Sequence, residues 1–465
     1  MKLPEQFTDE MKALLGDEFK EYISSFSQES VQGIRINTRK ISPEEFLRIS
    51  PFALEKIPWC ENGFYVQKAE NVGKHPYYYA GLYYVQEPSA MLPAALLCAL
   101  PGERVLDLCA APGGKATELG SRIGDCGLLL ANDISHSRAK GLLKNLELSG
   151  IGAMMVCSAS PENLRLEYKE YFDKILVDAP CSGEGMFRRD PAMIKDYENR
   201  GPGYYAKIQR EILAAAADML RPGGKMVYST CTFSKLENEE NIDWLLQFCP
   251  DLRLLKKERL FPHRVKGEGH FAALIEKAPF GAEKNLDTES LSAKDLLSNT
   301  ETFSHNFREK KSGKLTREKK AFFCRPPREW LQFQEEFLCV DFSSWQFAMA
   351  EERLYALPAA AEIKHQIRYL RTGLLLGECR NHRFEPSQAL AMFLKKEDVR
   401  HAVSFSPTDE RVLRYLKGET VALENHEARD KKGWILVCTD DFPLGWARCI
   451  NGDLRNKYYA GWRMR

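Results

Sequence analysis

Between residues 105 and 275 one pattern repeats: a short apolar run stops at a polar or glycine-containing turn, and a longer stretch with helical periodicity leads into the next run. The runs fall at residues 105–109, 128–132, 153–156, 174–177, 225–228 and 271–275. This alternation predicts an α/β fold, a mostly parallel sheet with crossover helices such as residues 210–220 packed on its faces. In a doubly wound sheet the carboxyl ends of the strands open onto the ligand crevice. Whatever stands at the ends of these runs therefore faces substrate rather than core.

Run 174–177 breaks at Asp178-Ala179-Pro180-Cys181 and a glycine-interrupted loop, and run 225–228 breaks at Ser229-Thr230-Cys231-Thr232. The two cysteines are fifty residues apart, on runs expected to be neighbours in the sheet. A cysteine is ordinarily a small buried hydrophobe. Two thiols at strand ends, each flanked by polar or turn residues and accompanied by an acid, suit methylation at C5 of a pyrimidine instead. In that chemistry a thiolate adds to C6 and makes C5 nucleophilic, a carboxyl group near N3 assists, and the C5 proton is then removed. A free thiol is only roughly a few per cent ionised at neutral pH, so the site calls for a nearby positive charge, and Lys115 is the candidate.

The first run leads into Cys109-Ala110-Ala111-Pro112-Gly113-Gly114-Lys115, a small-residue turn that enters a helix. Glycines there let backbone amides approach a ligand, and the helix amino end offers unpaired N–H groups. The second run ends in Asp133, 26 residues after Asp107, where an acid can hydrogen-bond ribose hydroxyls. The loop alone is not GxGxxG and reads equally well as a structural turn; the acid at the next strand end favours a nucleoside site.

The flanks read as further domains. Residues 1–90 form a small α/β domain with a helix over 8–22 and a strand over 33–38. It closes on Tyr77, Tyr78, Tyr79, Tyr83 and Tyr84, which suit either stacking on bases or packing between domains. A helix over 91–100, stopped by Pro101-Gly102, opens a catalytic domain spanning 91–280. Residues 281–320 are polar and read as a flexible linker, with seven Lys/Arg against two Glu between His305 and Lys320. An intermediate domain, 321–400, and a β-rich domain, 401–465, follow. The last twelve residues hold four Lys/Arg with Tyr458, Tyr459 and Trp462 and no acid, which suits either nucleic-acid contact or a packed terminal strand.

Composition narrows the class. A net charge of +1 excludes a global basic field. No window reaches the roughly 18 apolar residues of a membrane helix, and the start lacks a signal peptide's apolar segment, so the expectation is a cytoplasmic protein with no membrane partner. The 13 cysteines are odd in number, scattered and without CxxC spacing, which argues against structural zinc and against a disulfide framework.

Taken together, DLCAAPGGKATEL (107–119), the acid in ANDIS, DAPCSGEGMFR (178–188) and YSTCT (228–232) closely resemble the motifs of the Nop/Sun family of RNA cytosine-5 methyltransferases. The resemblance implies a Rossmann-like sheet that binds S-adenosylmethionine through the positions matching Cys109, Ala110, Ala111, Pro112, Gly113, Gly114 and Lys115, with Asp133 on the ribose. It implies Cys231 as the nucleophile, Cys181 as the residue that assists proton removal and release, and Asp178 as the acid on the target base. One position departs: where the family has an Asp before a Pro to contact the adenine, this chain has Ser160, which implies an uncharged and weaker contact. The layout of the whole chain, including YLKGETV and the segment from Lys432 onward, resembles the RsmF-type bacterial enzymes, with an amino-terminal RNA-binding domain and a PUA-like carboxyl-terminal one. The implied partner is 16S ribosomal RNA or the small ribosomal subunit, bound by a monomer, with transfer RNA the nearest alternative. A DNA cytosine enzyme would use the Pro-Cys thiol as nucleophile, an adenine N6 enzyme needs an Asn/Asp-Pro-Pro-aromatic strand end, and a non-catalytic assembly factor would not need both thiols.

Overall fold

The computed structural model describes residues 3–67, 70–279, 322–424, 427 and 432–464. The basic linker expected at 281–320 lies outside them, as does Arg465.

At the centre is an eight-stranded sheet in the order Leu252–Leu260, His270–Lys277, Leu220–Thr230, Phe172–Asp178, Arg104–Asp107, Leu128–Asn132, Met154–Cys157, Tyr369–Thr372. The five inner strands are parallel, and each of the other three pairs antiparallel with its inward neighbour. Both faces are covered, which explains why the runs read as continuously apolar. Leu106, Leu130 and Ile175 point into one core, while Val105, Leu129 and Leu176 point into the other. The strand order reverses at Arg104–Asp107, whose neighbours are the second and the fourth strands in sequence. The crevice at that reversal is where an open α/β sheet binds its ligand.

Several boundaries differ from the sequence reading for local reasons. The expected helix over 8–22 is two α-helices, Glu5–Leu15 and Phe19–Ser25, interrupted at Gly16, whose φ of 55° ends the first, with a 3-10 turn over Gly16–Glu18 between them. The helix expected over 91–100 is only Leu92–Leu97, because Cys98 turns left-handed before Pro101 is reached. The turn at 221–224 persists as a bulge: pairing with Phe172–Asp178 jumps from Leu220 to Lys225. The crossover helix before it is longer than expected, Ala192–Met219, with a break at Gly201 that Pro202 follows.

Three smaller sheets surround the centre. An antiparallel four-stranded one is built from Gln32–Ile36, Leu54–Lys56, Gly63–Val66 and Tyr83–Gln86. Two five-stranded sheets hold the carboxyl-terminal part. Two of the five tyrosines serve packing: Tyr77 and Tyr83 are buried in a core shared with the last sheet, and the Tyr77 hydroxyl donates to Asp440 Oδ2 at 2.6 Å. Tyr458 and Trp462 sit in that same core, leaving Tyr459 exposed. The amino-terminal sheet is clamped to the helix Gly114–Ile123 by Arg35, which is buried, pairs with Glu118 at 2.9 Å and donates to Thr117 Oγ1 at 2.7 Å.

Candidate active site

The two thiols meet. Cys181 and Cys231 follow the ends of adjacent parallel strands, paired in register at Asp178 and Ser229, and their sulfurs are 3.1 Å apart. Cys181 is buried and Cys231 is partly exposed. The hydrogen bond to Cys231, reinforced by burial, pushes the Cys181 thiol well above its ordinary pKa.

Asp178 stands beside them. Its Oδ2 accepts from Lys115 Nζ at 2.7 Å and its Oδ1 from Ser229 Oγ at 2.8 Å, while His270 Nε2 lies 3.5 Å from Oδ1. Burial opposes ionisation, yet the Lys115 ammonium and His270 hold this carboxyl well below the usual carboxylate range. This corrects the sequence reading of Lys115. Its charge is engaged by Asp178 rather than by a thiol.

Beneath the cysteine loops lies a polar scaffold that sequence reasoning missed. Glu237, wholly buried, accepts from the Ser182 amide at 3.1 Å, from the Ser182 hydroxyl and from Gln209 Nε2 at 2.8 Å. Ser182 and Thr232 hydroxyls pair at 2.8 Å, which ties the Cys181 loop to the Cys231 loop. Gln209 Nε2 also reaches the Pro180 carbonyl, and Asn238 holds Thr230 and Thr232. On the other side the Gly185 amide donates to the Cys231 carbonyl at 2.8 Å, and Glu184 Oε2 accepts from the Phe233 amide at 2.7 Å. Both sulfurs are thus placed by paired backbone and side-chain bonds, the arrangement that fixes a reacting group without strain. Glu237 occurs in the run LENEEN, which reads as a solvated acidic face, and nothing in it distinguishes the one buried acid.

The candidate cofactor loop occupies the sheet reversal. Gly113, at φ 113°, makes the turn into the helix Gly114–Ile123, a conformation that favours glycine. The loop is fixed by Ala110 N donating to the Asn132 carbonyl at 2.7 Å and by Arg138 Nη2 donating to the Ala111 carbonyl at 2.8 Å. Cys109, between Asp107 and this turn, has its thiol pushed up by burial. Asp133 is 2 % exposed; its Oδ1 accepts from the Ser135 amide and its Oδ2 lies 3.3 Å from Arg138. Ser160 caps the helix Pro161–Glu167, its hydroxyl accepting from the Asn163 amide at 3.2 Å.

Asp107, under the loop, is buried, and neither carboxylate oxygen has a hydrogen-bond partner. Burial and the neighbouring Asp178 raise its pKa to about 8. A free carboxyl below a glycine turn, an acid at the next strand end and a helix amino terminus are a donor and acceptor set that fits an amino-acid-bearing nucleoside such as S-adenosylmethionine. The unfolded carboxyl ionises near pH 4 and the folded one near pH 8, so the protonated acid stabilises the fold fully below about pH 4, and that stability is lost as pH rises to about 8. Asp107→Asn is therefore expected to raise the ligand-free melting temperature increasingly between pH 5 and 8, by about 2 °C or more at the upper end. A melting difference that does not change with pH would count against a protonated Asp107.

Comparisons with known proteins agree with this layout. Residues 94–276 match the family model "16S rRNA methyltransferase RsmB/F". Residues 3–88 match the "N-terminal domain of 16S rRNA methyltransferase RsmF", 332–394 its "first C-terminal domain" and 402–464 the "Methyltransferase RsmF PUA domain". Ribosomal RNA small subunit methyltransferase F of Enterobacter sp. (strain 638) is 31% identical over 479 residues, covering 98% of this chain and 95% of the relative. The corresponding protein of Salmonella typhi is 31% identical with the same coverage. Among solved structures, a methyltransferase homolog protein from Pyrococcus horikoshii is 29% identical with a TM-score of 0.53, covering 59% of this chain and 95% of that one. NSun6 of the same organism, solved with SFG, shares the fold at 21% identity and a TM-score of 0.53, covering 59% of this chain and 98% of that one.

Proposed function

The chain belongs to the RsmF-type Nop/Sun methyltransferases, and from that premise we propose that it forms 5-methylcytidine in 16S ribosomal RNA through a covalent bond between Cys231 and C6 of the target base. The single observation that carries the reading is the pair of sulfurs 3.1 Å apart, just past the strand ends that pair at Asp178 and Ser229.

In this reading the unstacked cytidine enters the cleft above the two strand ends. Cys231, the more accessible thiol, gives up its proton to solvent and attacks C6 as the thiolate, and the electron pair of the C5–C6 double bond is pushed towards C5. Asp178, held as the carboxylate and oriented by Lys115 and Ser229, accepts from the amino group on C4 beside N3. S-adenosylmethionine, held by the loop from Cys109 to Lys115 with Asp133 and Ser160 towards the nucleoside, supplies the methyl group when bound. The C5 proton is then lost to solvent with the assistance of Cys181, its electron pair re-forms the C5–C6 double bond, and the C–S pair leaves with Cys231 as thiolate, restoring the aromatic ring. The Glu237 scaffold holds the two thiols at the separation this handover needs. The amino-terminal and PUA-like domains hold ribosomal RNA or the small subunit, and the protein works in the cytoplasm as a monomer. Among the described residues no helix is long and apolar enough to cross a membrane.

The test is methyl transfer from labelled S-adenosylmethionine to 16S ribosomal RNA, assembled small subunits and transfer RNA, with the product nucleoside identified by mass spectrometry. The expected product is 5-methylcytidine from ribosomal RNA or subunits. A methylated adenosine, or 5-methylcytidine from transfer RNA alone, would overturn the reading.

A further inference from the structure

The eighth strand of the central sheet does not come from the catalytic segment. Tyr369–Thr372 pairs antiparallel with Met154–Cys157, across more than two hundred residues of sequence. Beyond the paired strands the Ser158 amide donates to the Arg368 carbonyl at 3.2 Å, and at the other end the Gly373 amide donates to the Met154 carbonyl at 2.7 Å.

Side chains fasten this strand from both flanks. The Tyr168 and Tyr369 hydroxyls pair at 2.7 Å, and the Tyr171 hydroxyl donates to the Ala360 carbonyl at 2.9 Å. Arg371 forms a largely buried ion pair with Glu147 at 2.6 Å, on the helix His136–Leu148 that begins just after Asp133. Ala361 and Ile367 are buried in the catalytic core itself.

What the strand braces is the wall of the cofactor crevice. The loop from Ser158 to Ser160 leaves the carboxyl end of the strand beside the one that ends before Asp133. Ser158 Oγ donates to the Ile134 carbonyl at 3.1 Å, and the Ala159 amide donates to Asn132 Oδ1 at 2.9 Å. Ile134 is 66% exposed, an apolar platform at the mouth of the crevice. A continuous set of bonds therefore runs from Arg368 through Ser158 to Ile134 and its neighbour Asp133. At Ser160 no carboxylate fixes the adenine edge, so recognition there depends on how rigidly this loop is held.

We infer that the carboxyl-terminal segment 360–373 is part of the cofactor site: by adding a strand to the sheet it positions the Ser158–Ser160 loop for the adenosine end of S-adenosylmethionine. Arg371 and Tyr168 are positioning residues in this scheme, and neither touches the ligand. The inference rests on the cofactor assignment proposed above.

The test uses the full chain and isothermal titration with S-adenosylmethionine and S-adenosylhomocysteine. Arg371→Glu sets two acids against each other at the ion pair and is expected to weaken both ligands about tenfold. It should also expose the Ser158 amide to hydrogen exchange while leaving RNA affinity unchanged. The reciprocal double variant Glu147→Arg/Arg371→Glu is expected to restore affinity. If Arg371→Glu lowers the melting temperature so far that it cannot be titrated, Tyr168→Phe, which deletes one hydroxyl, decides by the same readouts. Loss of Ser158 protection with unaltered ligand affinity in the deciding variant would overturn the inference. Failure of the unmodified protein to bind S-adenosylmethionine would instead overturn the cofactor assignment on which it rests.

Discussion

Cys231→Ala is expected to abolish methyl transfer, by about 10³-fold or more, and to leave no covalent complex with RNA, whereas Cys181→Ala is expected to accumulate one. The asymmetry follows from the environment of the two sulfurs. Cys231 is the partly exposed member of the pair, within reach of a base, whereas Cys181 is buried. Removing Cys181 leaves the attacking sulfur and its supporting Asp178 in place, so the bond to C6 still forms. The group that assists its breakage is then missing. A complex resistant to denaturing electrophoresis marks the trapped state, and its formation by Cys231→Ala would reverse the assignment.

The second large effect tests position rather than chemistry. Gly185 sits where a Cβ would stand 2.9 Å from the Cys231 carbonyl oxygen, 3.2 Å from that of Glu268 and 3.3 Å from that of Gly269. All three are backbone atoms, which cannot turn aside as a flexible side chain can. Gly185→Ala should therefore displace the carbonyl to which the Gly185 amide donates, and the sulfur of the same residue with it. A misplacement of about 1 Å at a reacting atom costs roughly a hundredfold in turnover. A fall of that order in kcat is expected, with S-adenosylmethionine affinity unchanged because the cofactor loop lies on another strand end. Unchanged kcat would mean that the Cys231 loop is not held from this side.

The strands and their chemically loaded ends were legible because a doubly covered parallel sheet leaves a strong trace: continuous apolar runs, and turns that break at the crevice. Asp178, Cys181, Cys231 and Asp133 could be located from that pattern alone. The partnerships between them could not. Lys115 reads as a charge available to a thiol, and only the folded chain brings it onto Asp178. Arg35 is one basic residue in a short amino-terminal strand, yet it is buried against Glu118 behind the cofactor helix. Glu237 is hidden among acids that face water. The strand Tyr369–Thr372 left no readable signal, because four residues acquire meaning only through an edge formed far away in sequence. The tyrosine cluster was readable as a cluster but not as a purpose, since aromatic packing and base stacking use the same side chains.

Peptide mapping of the complex trapped by Cys181→Ala on 16S ribosomal RNA identifies the sulfur that attacks the base. After nuclease and protease digestion, a cytidine adduct is expected on the peptide that contains Cys231, with the mass of the added methyl group when S-adenosylmethionine is present. An adduct on any other residue, or turnover by Cys181→Ala with no adduct at all, would contradict that expectation.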